Sequence, residues 1–175
     1  MTNKNLIFLC GFMGCGKTTH GKKLAKALGY HFIDLDDYTS NKYDKAITDL
    51  FQEVGEDEFR KIETQSLAEC INDNIKTVIA LGGGTPCFNN NVETLKANGL
   101  LVYLKMNADD LYQRIFNAKA KRPLVAEKTN EEMLNYIQQL LATRESIYQQ
   151  AHLSVNGTHL NEEELKKVIL DHLAN

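Results

Sequence analysis

The sequence predicts an α/β chain, with strands and helices alternating from end to end. Three observations carry that expectation. Short apolar runs are separated by segments of helical periodicity. The first and best of these runs is apolar almost throughout, as a strand buried on both faces of a parallel sheet must be. It also opens into a glycine-rich loop that leads directly into a helix. Such alternation builds βαβ units, whose crossovers are right-handed almost without exception.

Taken in order, Leu6 to Cys10 is the first strand. A helix from Lys17 to Leu28 follows and stops at Gly29, which stands in the position of a C-terminal cap. Further strands are expected at His31 to Leu35, Thr77 to Leu81, Leu100 to Leu104 and His152 to Val155. Helical periodicity spans Ala46 to Val54, Glu56 to Asn74, Asn90 to Asn98, Ala108 to Ala118, Asn130 to Gln150 and Glu162 to Leu173. Lys119 to Lys128 is the least regular stretch: a proline and several charges between two helices, as in an exposed mobile loop. With no repeat, low-complexity tract or linker, residues 1–175 read as one domain.

A chain of 175 residues can bury roughly 70% of its unfolded surface, so it needs no disulfides for a core. Cys10, Cys15, Cys70 and Cys87 show neither a C-x-x-C pair nor metal-ligand spacing, and read as reduced thiols of a cytoplasmic protein. The opening apolar run is too short for a signal peptide or a membrane span. A net charge of −3 argues against nucleic acid or an anionic membrane as partner.

The strongest motif is Gly11-Phe-Met-Gly14-Cys15-Gly16-Lys17-Thr18, which satisfies G-x-x-x-x-G-K-[ST] after a buried strand and at a helix start. Glycines let successive backbone N–H groups converge on phosphate oxygens, and the helix N-terminus adds partial positive charge. Lys17 is placed to reach the β- and γ-phosphates of ATP, and the Thr18 hydroxyl to bind Mg²⁺. Thr19 continues the ATP-binding segment. Cys15, inside the cradle and near Lys17, is either an acidified thiol or a small residue that fits the loop.

Asp34, Asp36 and Asp37 follow the second strand, at the end where open α/β sheets bind ligands. Asp34 and Asp36, two residues apart, face one side if the strand extends that far. One then holds Mg²⁺ through water while the other accepts from a substrate hydroxyl; Asp37 reads as a helix-start residue. Gly82-Gly83-Gly84, directly after a strand, suits a loop that a ligand approaches closely.

Only four of the twenty basic residues are arginine: Arg60, Arg114, Arg122 and Arg144. Where lysine is the default cation, a planar guanidinium points to bidentate recognition of carboxylate or phosphate. The bland reading is a helix-face ion pair, and Arg60 does follow Glu56 by four residues. Spacing alone joins none of the four into a site.

The phosphate loop, Asp34-Leu-Asp36, Phe59-Arg60-x-x-Glu63, Gly82-Gly-Gly84, Arg122-Pro-Leu124 and Arg144-x-x-x-Tyr148 together resemble the shikimate kinases, nucleoside-monophosphate-kinase-like P-loop enzymes, over nearly the whole chain. The resemblance implies a three-layer αβα fold with a five-stranded parallel sheet, a substrate-binding segment at about residues 36–63 and a mobile lid at about 119–129. It implies a cytoplasmic, monomeric enzyme that phosphorylates the 3-hydroxyl of shikimate with Mg·ATP, on the route to chorismate and aromatic amino acids. Arg60 and Arg144 then grip the shikimate carboxylate, while Asp36, Gly82, Gly83 and Gly84 hold its hydroxyls. Arg122 closes with the lid on the transferring phosphoryl group. Arg114, and the backbone around Asn156, lie near the adenine. Two positions depart from the pattern: Asp44 stands where many relatives have glycine, and Leu81 where threonine is common. A kinase for another polyhydroxy acid, such as gluconate, is the alternative on the same fold.

Overall fold

The structure is a computed structural model, and it describes residues 5–118 and 130–174. Five strands form one parallel sheet: β1 (Leu6–Cys10), β2 (His31–Asp34), β3 (Thr77–Ala80), β4 (Leu100–Lys105) and β5 (Leu153–Asn156). Their order is β2-β3-β1-β4-β5, so the chain passes from β1 to the edge at β2, returns to β3 beside β1, and then crosses to β4 and out to β5. β1 is central and buried at every residue, as its unbroken apolar sequence requires.

Eight α-helices lie among the described residues. They are α1 (Lys17–Leu28), α2 (Leu35–Tyr43), α3 (Ile47–Val54), α4 (Glu56–Asp73), α5 (Asn91–Asn98), α6 (Ala108–Asn117), α7 (Asn130–Tyr148) and α8 (Glu162–Leu173). The alternation of side chains along β1 divides the interior in two. Ile7 and Leu9 pack with Leu24 of α1, Ile115 of α6, Ile137 of α7 and Leu165 of α8. Leu6, Phe8 and Cys10 pack on the other face with Leu35 of α2, Leu67 of α4 and Leu95 of α5. Helices thus cover both faces of the sheet, giving three αβα layers. No helix among the described residues is long and apolar enough to cross a membrane.

Two expectations need correction. The second strand does not run to Leu35: it ends at Asp34, which caps α2, a helix absent from the sequence reading. Helical periodicity was hidden there because α2 carries little apolar sequence beyond Leu35. Asp44, the departure from the resembled pattern noted in the sequence, ends this helix at φ 51° and ψ 41°. That is the left-handed conformation, which explains why glycine suits the position and why aspartate is tolerated. The supposed lid, with Arg122, lies outside the described residues.

Candidate active site

The phosphate loop runs between β1 and α1. Gly16, the residue before the helix, sits at φ 98°, and a Cβ there would come within 2.9 Å of His20. Glycine is therefore needed for both conformation and space. Lys17 is largely buried, and its Nζ donates to the carbonyl oxygens of Gly11 and Phe12, 2.9 Å from each. The loop's own carbonyls thus hold the ammonium beneath the glycine-rich turn. Cys15 is fully buried in the core below, with Sγ 3.9 Å from Lys17 Nζ. Such burial suits a small residue that fits the loop.

The Thr18 hydroxyl donates to Asp34 Oδ2 at 2.6 Å, while Asp34 Oδ1 accepts from the backbone N–H of Asp36 at 3.1 Å. Asp34 therefore caps α2 and faces the phosphate loop with the same carboxylate. Asp36 lies not on the strand but in the first turn of α2, and it reaches the same cavity. A hydroxyl and a carboxylate side by side at a phosphate cradle are hard oxygen donors of the kind Mg²⁺ takes. Among the described residues no three acidic, histidine or cysteine side chains group into a self-sufficient metal site. Few protein ligands are what Mg²⁺ needs when substrate phosphates supply the rest.

A cavity of about 650 Å³ joins this cradle to the acceptor side. Gly14, Lys17, Thr18, Asp34, Asp36, Arg60, Gly82, Gly83, Gly84 and Arg144 all line it. Apolar walls come from Met13, Ile47, Phe51, Phe59, Tyr136 and Leu140. Gly11, Cys15, Gly16, Thr19 and Arg114 do not line it. Thr19 is exposed on α1. Arg114 donates to the carbonyl oxygens of Gly157 and Thr158, at 3.1 and 3.0 Å, and of Cys15, at 3.4 Å. It thereby ties the phosphate loop to the segment after β5. A smaller cavity of about 370 Å³ lies there, lined by Asn156 and Thr158 together with Lys105 and Asn107.

On the acceptor side Arg60 makes the helix-face pair and a second, buried one. Its Nη2 meets Glu56 at 3.3 Å, the helix-face pair, and its Nη1 meets the buried Glu63 at 3.0 Å. The guanidinium lies 4.3 Å over the ring of Phe88, and its Nε is buried without a hydrogen-bond partner. A guanidinium with a stacked face, an anchored edge and an orphan donor fits an anionic ligand. Glu63 Oε1 also accepts from the buried Thr85 hydroxyl at 2.6 Å. The triple glycine closes over these groups. A Cβ on Gly82 would lie 2.8 Å from Glu63 and 2.9 Å from Asp36, and one on Gly84 would lie 2.7 Å from Arg60. Only glycine allows so close an approach. Burial first, then the neighbouring Asp34 and Glu63 charges, push the Asp36 carboxyl up to about 6.

Sequence reasoning gave Glu63, Thr85, Phe88 and Tyr148 no role, although Glu63 and Tyr148 stood in the motifs quoted. Phe88 and Thr85 carry no spacing signal, because each meets its partner through a loop that folds back on α4.

A family model for shikimate kinase matches residues 13–174. A shikimate kinase of Azobacteroides pseudotrichonymphae genomovar. CFP2 is 46% identical over 147 residues, which cover 84% of this chain and 86% of that protein. The crystal structure of a shikimate kinase from Bacteroides thetaiotaomicron is 36% identical with a TM-score of 0.91, covering 98% of this chain and 99% of that one. A shikimate kinase from Acinetobacter baumannii, solved in complex with shikimate, is 34% identical with a TM-score of 0.82, covering 97% and 93%. With the matched residues spanning the loop, the acceptor cavity and both faces of the sheet, the chain belongs to the shikimate kinase family of ATP-dependent phosphotransferases.

Proposed function

We propose that the chain moves the γ-phosphoryl of ATP to the 3-hydroxyl of shikimate, as one kinase domain with residues 36–63 forming the acceptor segment. The observation that carries this reading is the single cavity that brings Lys17 and Thr18 together with Asp36, Arg60, Arg144 and the triple glycine. One end suits phosphate and the other suits a polyhydroxylated carboxylate.

Phosphoryl transfer depends on positioning and charge stabilisation more than on covalent chemistry. In this reading the backbone N–H groups of Gly14, Cys15, Gly16, Lys17, Thr18 and Thr19 hold the phosphates, with Gly11 setting the turn. Lys17 neutralises charge on the β- and γ-phosphates. Thr18 directly, and Asp34 through water, would hold Mg²⁺. That ion supplies charge neutralisation at the phosphate oxygens.

Arg60 and Arg144 grip the substrate carboxylate, with Arg60 held in place by Glu63 and the Phe88 ring. Asp36 and the Gly82–Gly84 backbone orient the hydroxyls. An Asp36 carboxyl raised to about 6 is poised near neutral pH to accept the hydroxyl proton as the O–P bond forms. Arg114 positions the segment that meets the adenine. Arg122 enters with the 119–129 segment, covering the transferring group and excluding water. We further read the enzyme as a cytoplasmic monomer that uses neither nucleic acid nor membrane. The net charge of −3 offers no attraction to a polyanionic partner.

The test is ADP release from ATP and Mg²⁺ with shikimate, with gluconate and with no acceptor. Strong stimulation by shikimate alone is the expected result. Turnover that ignores shikimate, or follows gluconate instead, sinks the reading. For Arg122→Ala, kcat should fall by far more than twofold with little change in shikimate KM, whereas a change within about twofold, some 0.4 kcal/mol of barrier, removes Arg122 from the reaction.

A further inference from the structure

Tyr148 is the last residue of α7, fully buried, one helical turn beyond Arg144. Its ring packs on Tyr103, with centroids 5.1 Å apart. Packing alone would be served by phenylalanine. The hydroxyl, however, donates to the backbone carbonyl of Gly83 at 2.5 Å, in the middle of the triple glycine. This buried side chain therefore holds the loop that faces the acceptor hydroxyls from a position one helical turn beyond Arg144, the proposed carboxylate clamp.

Gly83 also lies against the phosphate loop. A Cβ there would lie 3.4 Å from the backbone nitrogen of Met13, 3.7 Å from Gly11 O and 3.6 Å from Arg144 Nη1. Whatever fixes the Gly83 peptide thus sets the spacing between phosphate loop and acceptor cavity. From this juxtaposition we infer that Tyr148 is a positioning residue for shikimate: its hydroxyl fixes the Gly83 peptide, beside which the Arg144 guanidinium lies, so that carboxylate clamp and hydroxyl-binding loop keep one spacing. Burial pushes the ionisation of Tyr148 well above the ordinary tyrosine range, so the group stays protonated and keeps its donor at every working pH. A loop held in place in advance leaves less freedom to be lost when the ligand binds.

This inference rests on the proposed shikimate site. Tyr148→Phe keeps the ring and removes only the hydroxyl. Steady-state kinetics with each substrate varied, together with Tm, should show shikimate KM raised about tenfold. kcat and ATP KM should stay within about threefold. A purely structural hydroxyl would lower Tm and leave shikimate KM within twofold, and that result overturns the inference. A second arm uses Arg144→Lys with and without Tyr148→Phe. If the hydroxyl sets the spacing of the loop to Arg144, it should change shikimate KM less than twofold in the lysine background. A full tenfold effect there assigns it to Gly83 alone and overturns the coupling. Wild-type protein run in parallel separates the failures. Without shikimate-stimulated ADP release in wild type, site and inference fall together; with it, an unchanged Tyr148→Phe sinks the inference only.

Discussion

The guanidinium of Arg60 stacks 4.3 Å over the ring of Phe88, while its edge is held 3.0 Å from Glu63. Face and edge are both used, so the side chain is held in one orientation before any ligand arrives. A lysine cannot make both contacts at once, because an ammonium has no planar face to stack while a separate edge donates.

Arg60→Lys should therefore raise shikimate KM at least about tenfold, a loss of some 1.4 kcal/mol, with ATP KM unchanged. Phe88→Leu should give a smaller rise, about two- to fivefold, since a cation–π contact to a half-buried ring is worth about 0.5–1 kcal/mol. Initial-rate kinetics against shikimate would measure both. An unchanged KM in Arg60→Lys would remove Arg60 from the carboxylate site.

Asp36 makes the pH dependence explicit. Its carboxyl is pushed up to about 6 from 3.8, by burial first and then by Asp34 and Glu63. Through that window the folded state keeps a proton that the unfolded chain has lost. The stabilisation is thus present at low pH and disappears as pH rises through about 6. Asp36→Asn should raise stability at pH 7–8, by on the order of 1–2 kcal/mol after solvent screening, while abolishing turnover. In the wild type, the acid limb of kcat/KM should fall near pH 6, and Glu63→Gln should move it lower by removing a like charge. Denaturation curves and a pH–rate profile test the two halves separately; an Asp36→Asn protein that is less stable at pH 8 contradicts the sign.

Thr85 supplies the buried Glu63 with a 2.6 Å hydrogen bond from 22 residues away. Thr85→Val keeps the shape but leaves a buried carboxylate oxygen one donor short, which costs about 1–3 kcal/mol. Shikimate KM should rise as Arg60 loses its firm partner. Thr85→Ser should restore both stability and KM, because it restores the hydroxyl. A serine variant no better than valine would show that the methyl group, not the hydrogen bond, is what matters.

At the opposite end of the sheet, His152 Nδ1 accepts from the Leu101 backbone N–H at 3.0 Å. Only the imidazole unprotonated at Nδ1 can do so. Burial first, then the His172 and Lys96 charges, hold His152 below its ordinary 6.5. Its contribution is present above pH 6.5 and is lost as acidification protonates the ring. Wild-type Tm should consequently drop below that pH more steeply than the Tm of His152→Gln. Parallel slopes for the two proteins would rule the contact out as a pH-sensitive one.

The sequence by itself determined the donor side: a buried strand, a glycine-rich turn and a helix start are consecutive, so their chemistry follows from local spacing. It also determined the parallel α/β order, since alternation of apolar runs and helical periodicity is a local property. It marked Asp34, Asp36, Arg60, Gly82–Gly84 and Arg144 as candidates without joining them. Tertiary structure alone decided the junction. Asp34 proved to be both a helix cap and the acceptor of the Thr18 hydroxyl, which required α2, a helix with too few apolar residues to announce itself. The Thr85–Glu63 and Tyr148–Gly83 hydrogen bonds bridge 22 and 65 residues of chain. Such contacts exist only once packing has brought distant backbone together, and no periodicity within one element encodes them.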